Sequence, residues 1–186
     1  MRKLVSLAFV VASFSLAAFA QTDKTFSRDG LSFNYPSGWM MQDKPGANAD
    51  ELEFINNSLD VQLKITASKP IDPTPENVAK AKKVFVDRYI DQTVKSFEAA
   101  GAKPQSSPAT SEIGGVASTG VLVTASLDGA PGNIQIQSAL VGDRVVVLTL
   151  MGPTADTKKA AAAWDMLRTT LKVDIPKPPE TPAKKP

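Results

Sequence analysis

The carboxylates best placed for chemistry gather in one early segment of the sequence, where Asp43, Asp50, Glu51 and Glu53 follow one another closely. Clustered carboxylate oxygens can hold Ca²⁺ or Mg²⁺, whereas carboxylate catalysis needs two such groups held apart across a cleft. Their spacing matches no known calcium-binding loop, and a solvated surface loop is the alternative interpretation. We therefore predict at most weak Ca²⁺ binding, with Asp43, Asp50 and Glu51 as the candidate ligands.

Two residue types on which much enzyme and metal chemistry depends do not occur, because the chain contains no His and no Cys. This excludes Ser-His and Cys-His nucleophile pairs, imidazole zinc sites and iron–sulfur ligation. The sequence also lacks a glycine-rich phosphate loop and a Ser-x-x-Lys nucleophile motif. We predict that the protein is not an enzyme and carries no cofactor other than weakly bound Ca²⁺.

Two aromatic residues, Tyr35 and Trp39, flank a turn at residues 36–38. Aromatic side chains are common in ligand pockets, so a pocket is one interpretation of this pair. A Trp at the start of a strand, beneath a covering helix, is more typical of a hydrophobic core. We predict that Trp39 is a core residue, and that Trp164 is one as well.

Residues 1–20 have the composition of a secretory signal. Arg2 and Lys3 precede a mostly apolar run, and the segment ends in Ala18-Phe19-Ala20, which fits a small-x-small cleavage site. An uncleaved anchor is the alternative, but the apolar run is slightly short for a membrane-spanning helix. We predict cleavage before Gln21 and a periplasmic or secreted protein.

The charges of the exported chain are balanced. The full sequence has 21 Lys and Arg residues against 19 Asp and Glu residues, and loss of Arg2 and Lys3 with the signal makes the two numbers equal. The two signs are interspersed, and no basic stripe with stacking aromatic residues occurs, so nucleic acid is not a predicted partner. Contact of the exported chain with a membrane should be peripheral only.

Strand and turn signals dominate the first part of the exported chain. Asp29-Gly30 is a hairpin signal within a first hairpin predicted at residues 25–39. Residues 43–50 are predicted to form an exposed loop. Beyond this loop, residues 51–55 should pair with residues 59–67, where apolar and polar side chains alternate.

A long amphipathic helix is predicted next, over residues 75–100. Thr74 is its expected N-cap, Pro75 its first residue and Gly101 its C-terminal cap. Its apolar residues fall on one stripe at helical spacing: Val78, Phe85, Val86, Tyr89, Ile90 and Phe97. The charged residues lie mostly outside this stripe and should face solvent, so the helix is expected to lie on a sheet.

Four strand-like runs separated by glycine-containing turns follow, at residues 107–113, 116–127, 133–141 and 144–151. Successive hairpins make such strands antiparallel. Residues 145–148 are apolar at every position, which predicts a central strand covered on both faces. A second main helix is predicted to follow at residues 155–171, with Thr154 as its cap.

The last segment, residues 175–186, holds five prolines and three lysines. This composition cannot form a core, and we predict a disordered tail. Lys177, Lys184 and Lys185 would suit a basic tether to an envelope surface or a partner, and a free end without a partner is the alternative. The domain division is therefore a signal at 1–20, one domain at 21–174 and a tail at 175–186.

These elements predict the α+β class. The expected architecture is an α/β sandwich whose mainly antiparallel sheet has about six strands and is covered by two main helices. The stretch GLSFNYPSGW at residues 30–39, with Tyr35, Pro36, Gly38 and Trp39 as its fold motif, resembles the first hairpin of the PsbP-like proteins. The pattern GDRVVVLTLMGP, followed by a helix, resembles the last strand and last helix of that family.

The PsbP-like family includes the extrinsic PsbP subunit of photosystem II and bacterial periplasmic proteins of the DcrB type. The resemblance implies an exported, non-enzymatic accessory domain that binds a protein or membrane complex. That partner would be photosystem II in a photosynthetic source and an unidentified envelope component otherwise. A periplasmic module that binds a small molecule or Ca²⁺ is the alternative, which a deep pocket lined by carboxylates would favour, whereas an exposed apolar patch would favour the accessory domain.

Overall fold

The computed structural model describes residues 22–127 and 129–175. The predicted signal, Asp128 and the tail from residue 176 onward lie outside the described residues. The elements follow in the order β1 (Lys24–Arg28), β2 (Leu31–Tyr35), β3 (Met40–Pro45), β4 (Ala49–Ile55), β5 (Gln62–Ser68), α1 (Pro75–Lys82), a π-helical turn (Lys83–Asp87), α2 (Arg88–Ala99), β6 (Gln105–Ile113), β7 (Val116–Leu127), β8 (Ala130–Val141), β9 (Arg144–Pro153), α3 (Thr154–Lys159), α4 (Ala161–Thr170) and β10 (Lys172–Val173).

A seven-stranded antiparallel sheet forms the middle of the molecule, in the order β3-β4-β5-β9-β8-β7-β6. The apolar strand β9 lies at its centre, as its sequence predicts, with Leu148 opposite Ile65 on β5. The α+β class and the mainly antiparallel sheet are confirmed. The sheet has seven strands where about six were expected. Residues 43–48 are exposed, as predicted, but only residues 46–48 form a loop, because β3 runs to Pro45 and β4 begins at Ala49, and the two strands pair as a hairpin.

A second sheet of three strands, in the order β1-β2-β10, packs beside the first. The Asp29-Gly30 turn joins β1 to β2 with positive φ at both residues, 49° and 79°, which suits the right-handed twist of a tight hairpin. A side chain at position 30 would also meet the Asp174 carbonyl oxygen at 2.5 Å. The hairpin predicted at residues 25–39 ends earlier than expected, at Tyr35. The chain turns after this residue and enters the larger sheet as β3.

The main hydrophobic core lies between these two sheets and α4. The larger sheet contributes alternate residues of its strands, because successive side chains point to opposite faces. Buried members of this core include Phe33, Trp39, Leu52, Phe54, Leu63, Ile65, Val146, Leu148, Trp164, Leu167 and Leu171. The aromatic rings of Phe33 and Phe54 meet edge to face with centroids 5.7 Å apart.

A second, smaller core lies on the opposite face of the large sheet, beneath the segment formed by α1, the π-helical turn and α2, which we call the long helix. The Thr74 hydroxyl caps its start by accepting the Asn77 amide at 3.3 Å, and Gly101 follows its end with a φ of 82°. The sheet contributes Val123, Ile134, Ile136, Val145 and Val147 to this core. The long helix is not the uninterrupted α-helix that the sequence predicts, because it contains the π-helical turn.

The C-terminal helical segment also differs from its prediction. It consists of two helices, α3 and α4, with a break at Ala160. Thr154 is the first residue of α3 and not its cap, and its hydroxyl instead donates to the Asn133 side chain at 3.2 Å. Among the described residues, no helix is long and apolar enough to span a membrane.

Candidate functional site

The structure pairs the predicted calcium ligand Asp43 with a cation. Arg28 on β1 forms a bidentate contact with this carboxylate, and its Nη2 donates to Asp43 Oδ1 at 3.1 Å. The hydrogen bonding that Arg28 donates to the Asp43 carboxylate is the main reason why the pKa of Arg28 is raised above its ordinary value. The pair joins β1 of the small sheet to β3 of the large sheet, so it acts as a contact between elements.

Asp50 is buried and surrounded by three cations. The Lys69 Nζ donates to its carboxylate at 2.7 Å, and nitrogens of Arg28 and Arg144 lie 3.5 Å from its oxygens. The side chain of Asp50 is only 2% exposed and that of Arg144 only 3%. A carboxylate can be buried in this way because the neighbouring cations replace the water that it loses.

We call Arg28, Asp43, Asp50, Lys69 and Arg144 the charge cluster. Its Arg144 Nη2 also donates to the Asp29 carbonyl oxygen at 2.6 Å, which ties the first hairpin to the central strand β9. The Nε and Nη1 atoms of Arg144 have no hydrogen-bond partner within the described part of the chain. The cluster joins strands β1, β3, β4 and β9.

The three predicted calcium ligands do not converge. Asp43 and Asp50 both contact Arg28, whereas Glu51 follows Asp50 on the same strand and points to the opposite face of the sheet. Residues 22–127 and 129–175 contain no group of three acidic residues able to hold a metal ion. Weak Ca²⁺ binding stays a prediction, and it would require the ion to compete with arginine and lysine.

A series of cavities lies on the other face of the large sheet. Four adjoining cavities run beneath the long helix, and neighbouring cavities share Phe85, Tyr89, Phe97 or Met151 as lining residues. We call this region the helix–sheet cleft. Its two cavities beside Phe97 measure about 330 and 320 Å³, which is the lower end of the range for small-molecule sites.

The cleft exists because the long helix packs incompletely on the sheet. No residue of α2 is fully buried, although Tyr89, Ile90, Val94 and Phe97 face the second core. A π-helical turn inserts an extra residue into the helix and shifts the side chains that follow it, and such turns are frequent at functional sites. Of the predicted apolar stripe, Val86 is buried and the other members are only partly buried, which was not evident from their spacing.

The cleft changes character along its length. At the α2 C-terminal end it is lined mainly by apolar groups, among them Phe97, Ile134 and Met151. Nearer the π-helical turn it is lined by charged and polar side chains from two sheet strands and the helix: Glu51, Lys64, Thr66, Arg88 and Gln92. The Lys64 Nζ lies 4.9 Å from the centroid of the Tyr89 ring, a cation–π contact that fixes the lysine in the cleft.

The aromatic pair of the first turn does not line this cleft. Trp39 is 5% exposed and belongs to the main core, and the half-buried Tyr35 packs against the same core with its ring 5.5 Å from that of Phe54. The turn itself is closed by a hydrogen bond of 3.0 Å from the Trp39 amide to the Pro36 carbonyl oxygen. The tether residues Lys177, Lys184 and Lys185 lie outside the described residues.

Sequence reasoning missed both the charge cluster and the cleft. The alternation of Asp50 with Leu52 and Phe54 was a usable signal, since it places a carboxylate on the buried face and requires a cation there. The sequence did not indicate which cations would pair with Asp50, because Arg28 and Arg144 are far from it along the chain. The cleft depends on how closely the long helix packs on the large sheet. The spacing of apolar residues in the sequence does not indicate that distance.

No protein-family model matches the chain, and no curated protein matches its sequence. Among solved structures, the chain is similar to the solution structure of cyanobacterial PsbP (CyanoP) from Synechocystis sp. PCC 6803. The TM-score is 0.55 at 15% identity, over 85% of this chain and 96% of that chain.

Two further solved structures show weaker similarity. LpqN, described as involved in cell envelope biogenesis of Mycobacterium tuberculosis, gives a TM-score of 0.45 at 12% identity over 83% of this chain and 91% of that chain. A protein from Bacteroides thetaiotaomicron gives 0.46 at 17% identity, over 82% of this chain and 48% of that chain.

The architecture places the protein in the class of α+β sandwiches with a central antiparallel sheet and helices on its two faces. Within that class, the similarity to cyanobacterial PsbP identifies a PsbP-like fold, which confirms the resemblance predicted from residues 30–39. At this level of identity the similarity concerns the fold alone.

Proposed function

We propose that the chain is an exported, non-enzymatic accessory domain that binds a protein partner in the cell envelope. The observation that carries the proposal is the similarity to cyanobacterial PsbP over nearly the whole length of that protein. A fold shared over such a length supports a related way of working, in which a compact domain docks on a larger complex. The signal-like sequence at residues 1–20 supports its placement outside the cytoplasm.

The chemistry of the charge cluster is consistent with a non-enzymatic role. Its carboxylates are held by arginine and lysine and join strands β1, β3, β4 and β9, so they contribute to the fold. Catalysis by carboxylates would instead require a pair facing an open cleft. In the helix–sheet cleft, the lining carboxylates Glu51, Asp60 and Asp72 each belong to a different cavity, so none of these cavities of the described structure contains a pair.

The partner proposed here depends on the source of the protein. In a photosynthetic organism it would be photosystem II, and elsewhere an envelope complex whose identity is still to be found. Contact with the membrane itself would be peripheral. The tail residues Lys177, Lys184 and Lys185 would act as a basic tether to the partner or to the envelope surface.

The proposal is tested by capture of the partner from native envelope. The exported protein, carrying a small affinity tag, is expressed in its source, cross-linked in intact cells and purified, and the recovered proteins are identified by mass spectrometry. We expect one envelope complex to be enriched over a tagged periplasmic protein of unrelated fold. Recovery of the chain alone, under conditions that capture known envelope complexes, would contradict the proposal.

A further inference from the structure

We propose that the helix–sheet cleft binds an anionic amphiphile with a single alkyl chain. The alkyl chain would occupy the apolar cavities beside Phe97, and the anionic head group would lie near Lys64 and Arg88. This inference concerns a ligand site and does not depend on which protein the domain binds.

The apolar part of the cleft has the size and lining that an alkyl chain requires. Two cavities of about 330 and 320 Å³ meet at Phe97 and Met151 and continue toward Ile134 on β8. Asp60, Gln62 and Asn133 also line the first cavity, but its lining is mainly apolar, and a mainly apolar site favours the apolar part of a ligand. The flexible Met151 side chain can adapt to a chain of variable shape.

The part of the cleft nearer the π-helical turn supplies the positive charge that an anionic head group requires. Lys64 on β5 and Arg88 at the start of α2 line the same cavity, and neither forms an ion pair within residues 22–127 and 129–175. Glu51 is the one carboxylate lining this cavity, so its lining carries a net positive charge. Because this lining carries one more positive than negative charge, it is complementary to an anionic head group.

The cleft is a narrow groove, partly open to solvent, along the contact between the long helix and the sheet. The cavities lie between the underside of the long helix and the sheet, with Tyr89 bridging the charged and apolar parts. The apolar cavities of about 330 and 320 Å³ are small for a peptide helix, whose diameter with side chains is about 10 Å, but they suffice for a single alkyl chain lying against Tyr89 and Phe97. The ligand would supply the apolar contacts that α2 lacks.

Binding is measured with a dansyl-labelled undecanoic acid, whose fluorescence rises and shifts to the blue in an apolar site. We expect saturable binding to the exported protein and displacement by both dodecanoate and monododecyl phosphate. The more effective of these two competitors identifies the head group as a carboxylate or a phosphate. Absence of saturable binding, or equal displacement by dodecylammonium, would overturn the proposal.

Two pairs of variants place the ligand in the cleft. Ala125→Phe fills the apolar part and should weaken probe binding by about tenfold or more, whereas Thr124→Phe, on the exposed opposite face of β7, should not. The double variant Lys64→Gln and Arg88→Gln should weaken displacement by dodecanoate, and Lys83→Gln, an exposed lysine outside the cleft, should not.

Thermal unfolding of each variant establishes that it is folded before binding is compared. If Ala125→Phe does not fold, the charge variants still decide the result, because Lys64 and Arg88 are not members of either core. Probe binding that is unchanged in the charge double variant would contradict the proposed head-group site. Binding that is lost equally in Thr124→Phe and Ala125→Phe would place the ligand outside the cleft.

Discussion

At the scale of single residues, Asp50 shows how a buried charge is compensated in this protein. Its carboxylate is almost fully enclosed, and the charges of Lys69, Arg28 and Arg144 take the place of water around it. Burying charges is costly in itself, so such a network specifies the arrangement of elements more than it adds net stability. Removing the charge of Asp50 leaves the buried Arg144 without compensation.

The variant Asp50→Asn tests this role. The substitution retains the size of the side chain but removes the charge that faces Arg144, so we expect the free energy of unfolding to fall by about 3 to 5 kcal/mol. Asp43→Asn is the control, because Asp43 is 29% exposed and should lose only about 0 to 1 kcal/mol. Urea denaturation measures both values, and equal effects in the two variants would argue against a special role for Asp50.

The second prediction at this scale concerns the contribution of Trp39 to the stability of the core. Trp39→Ala should lower the free energy of unfolding by about 3 to 5 kcal/mol. Loss of the indole leaves a cavity in the main core, and the surrounding strands cannot move close enough to fill it. The adjacent Met40 is 51% exposed, so Met40→Ala should change stability little. A variant that unfolds like the wild type but loses affinity for a ligand would contradict the assignment of Trp39 to the core.

At the scale of elements, the β3–β4 hairpin explains why the predicted calcium ligands separate. Strand pairing sets Asp43 opposite Leu52 and points Asp50 into the charge cluster, while Glu51 lies on the face of the long helix. A flexible loop would have allowed the three carboxylates to converge on one ion. The pleat of a strand prevents this, because neighbouring side chains project from opposite faces.

We therefore expect Ca²⁺ to bind residues 21–186 of the chain with a dissociation constant of about 1 mM or weaker. Isothermal titration with CaCl₂ measures this, and Glu51→Gln serves as the control for a site that needs all three carboxylates. Micromolar binding abolished by that variant would show that the three carboxylates do converge. Stoichiometric zinc after dialysis is not expected, since the chain has neither imidazole nor thiolate ligands.

The long helix is the second element whose packing matters. Its cap at Thr74 and its stop at Gly101 are local features, and the structure contains both. Its π-helical turn and its half-buried α2 stretch are not local features, because they depend on the sheet surface beneath. Segments with few buried contacts open more readily than the core, so α2 is the part of the described structure best suited to admit a ligand.

At the scale of the whole molecule, the exported product should begin at Gln21. The small-x-small ending at Ala20 and the polar residues that follow it favour cleavage there. Intact-mass measurement of the protein recovered from the medium or periplasm decides the matter. A mass that still includes residues 1–20 would contradict the predicted signal.

Deletion of residues 175–186 is the second test on the whole chain. The five prolines in this segment lack backbone donors and oppose both helix and sheet, so the deletion should leave the melting temperature unchanged. Reduced partner recovery at unchanged stability would support the tether of Lys177, Lys184 and Lys185. A clear fall in melting temperature would show that the tail packs on the domain.

The sequence by itself determined the features that depend on neighbouring residues. The Asp29-Gly30 turn, the Thr74 cap, the alternation along β5 and the fully apolar strand β9 were all readable, because turn chemistry and side-chain period act over a few residues. Together with the motif at residues 30–39, these features were sufficient to predict the class and the PsbP-like fold.

Tertiary structure alone decided which distant residues meet. The contact of Arg144 with Asp29, the pairing of β10 with β2 and the gap beneath α2 join parts of the chain that are far apart in sequence. No local pattern specifies such contacts, because each depends on the positions of the other strands and on how closely the layers approach. The charge cluster and the helix–sheet cleft both arise from contacts of this kind, so neither was predictable from the sequence.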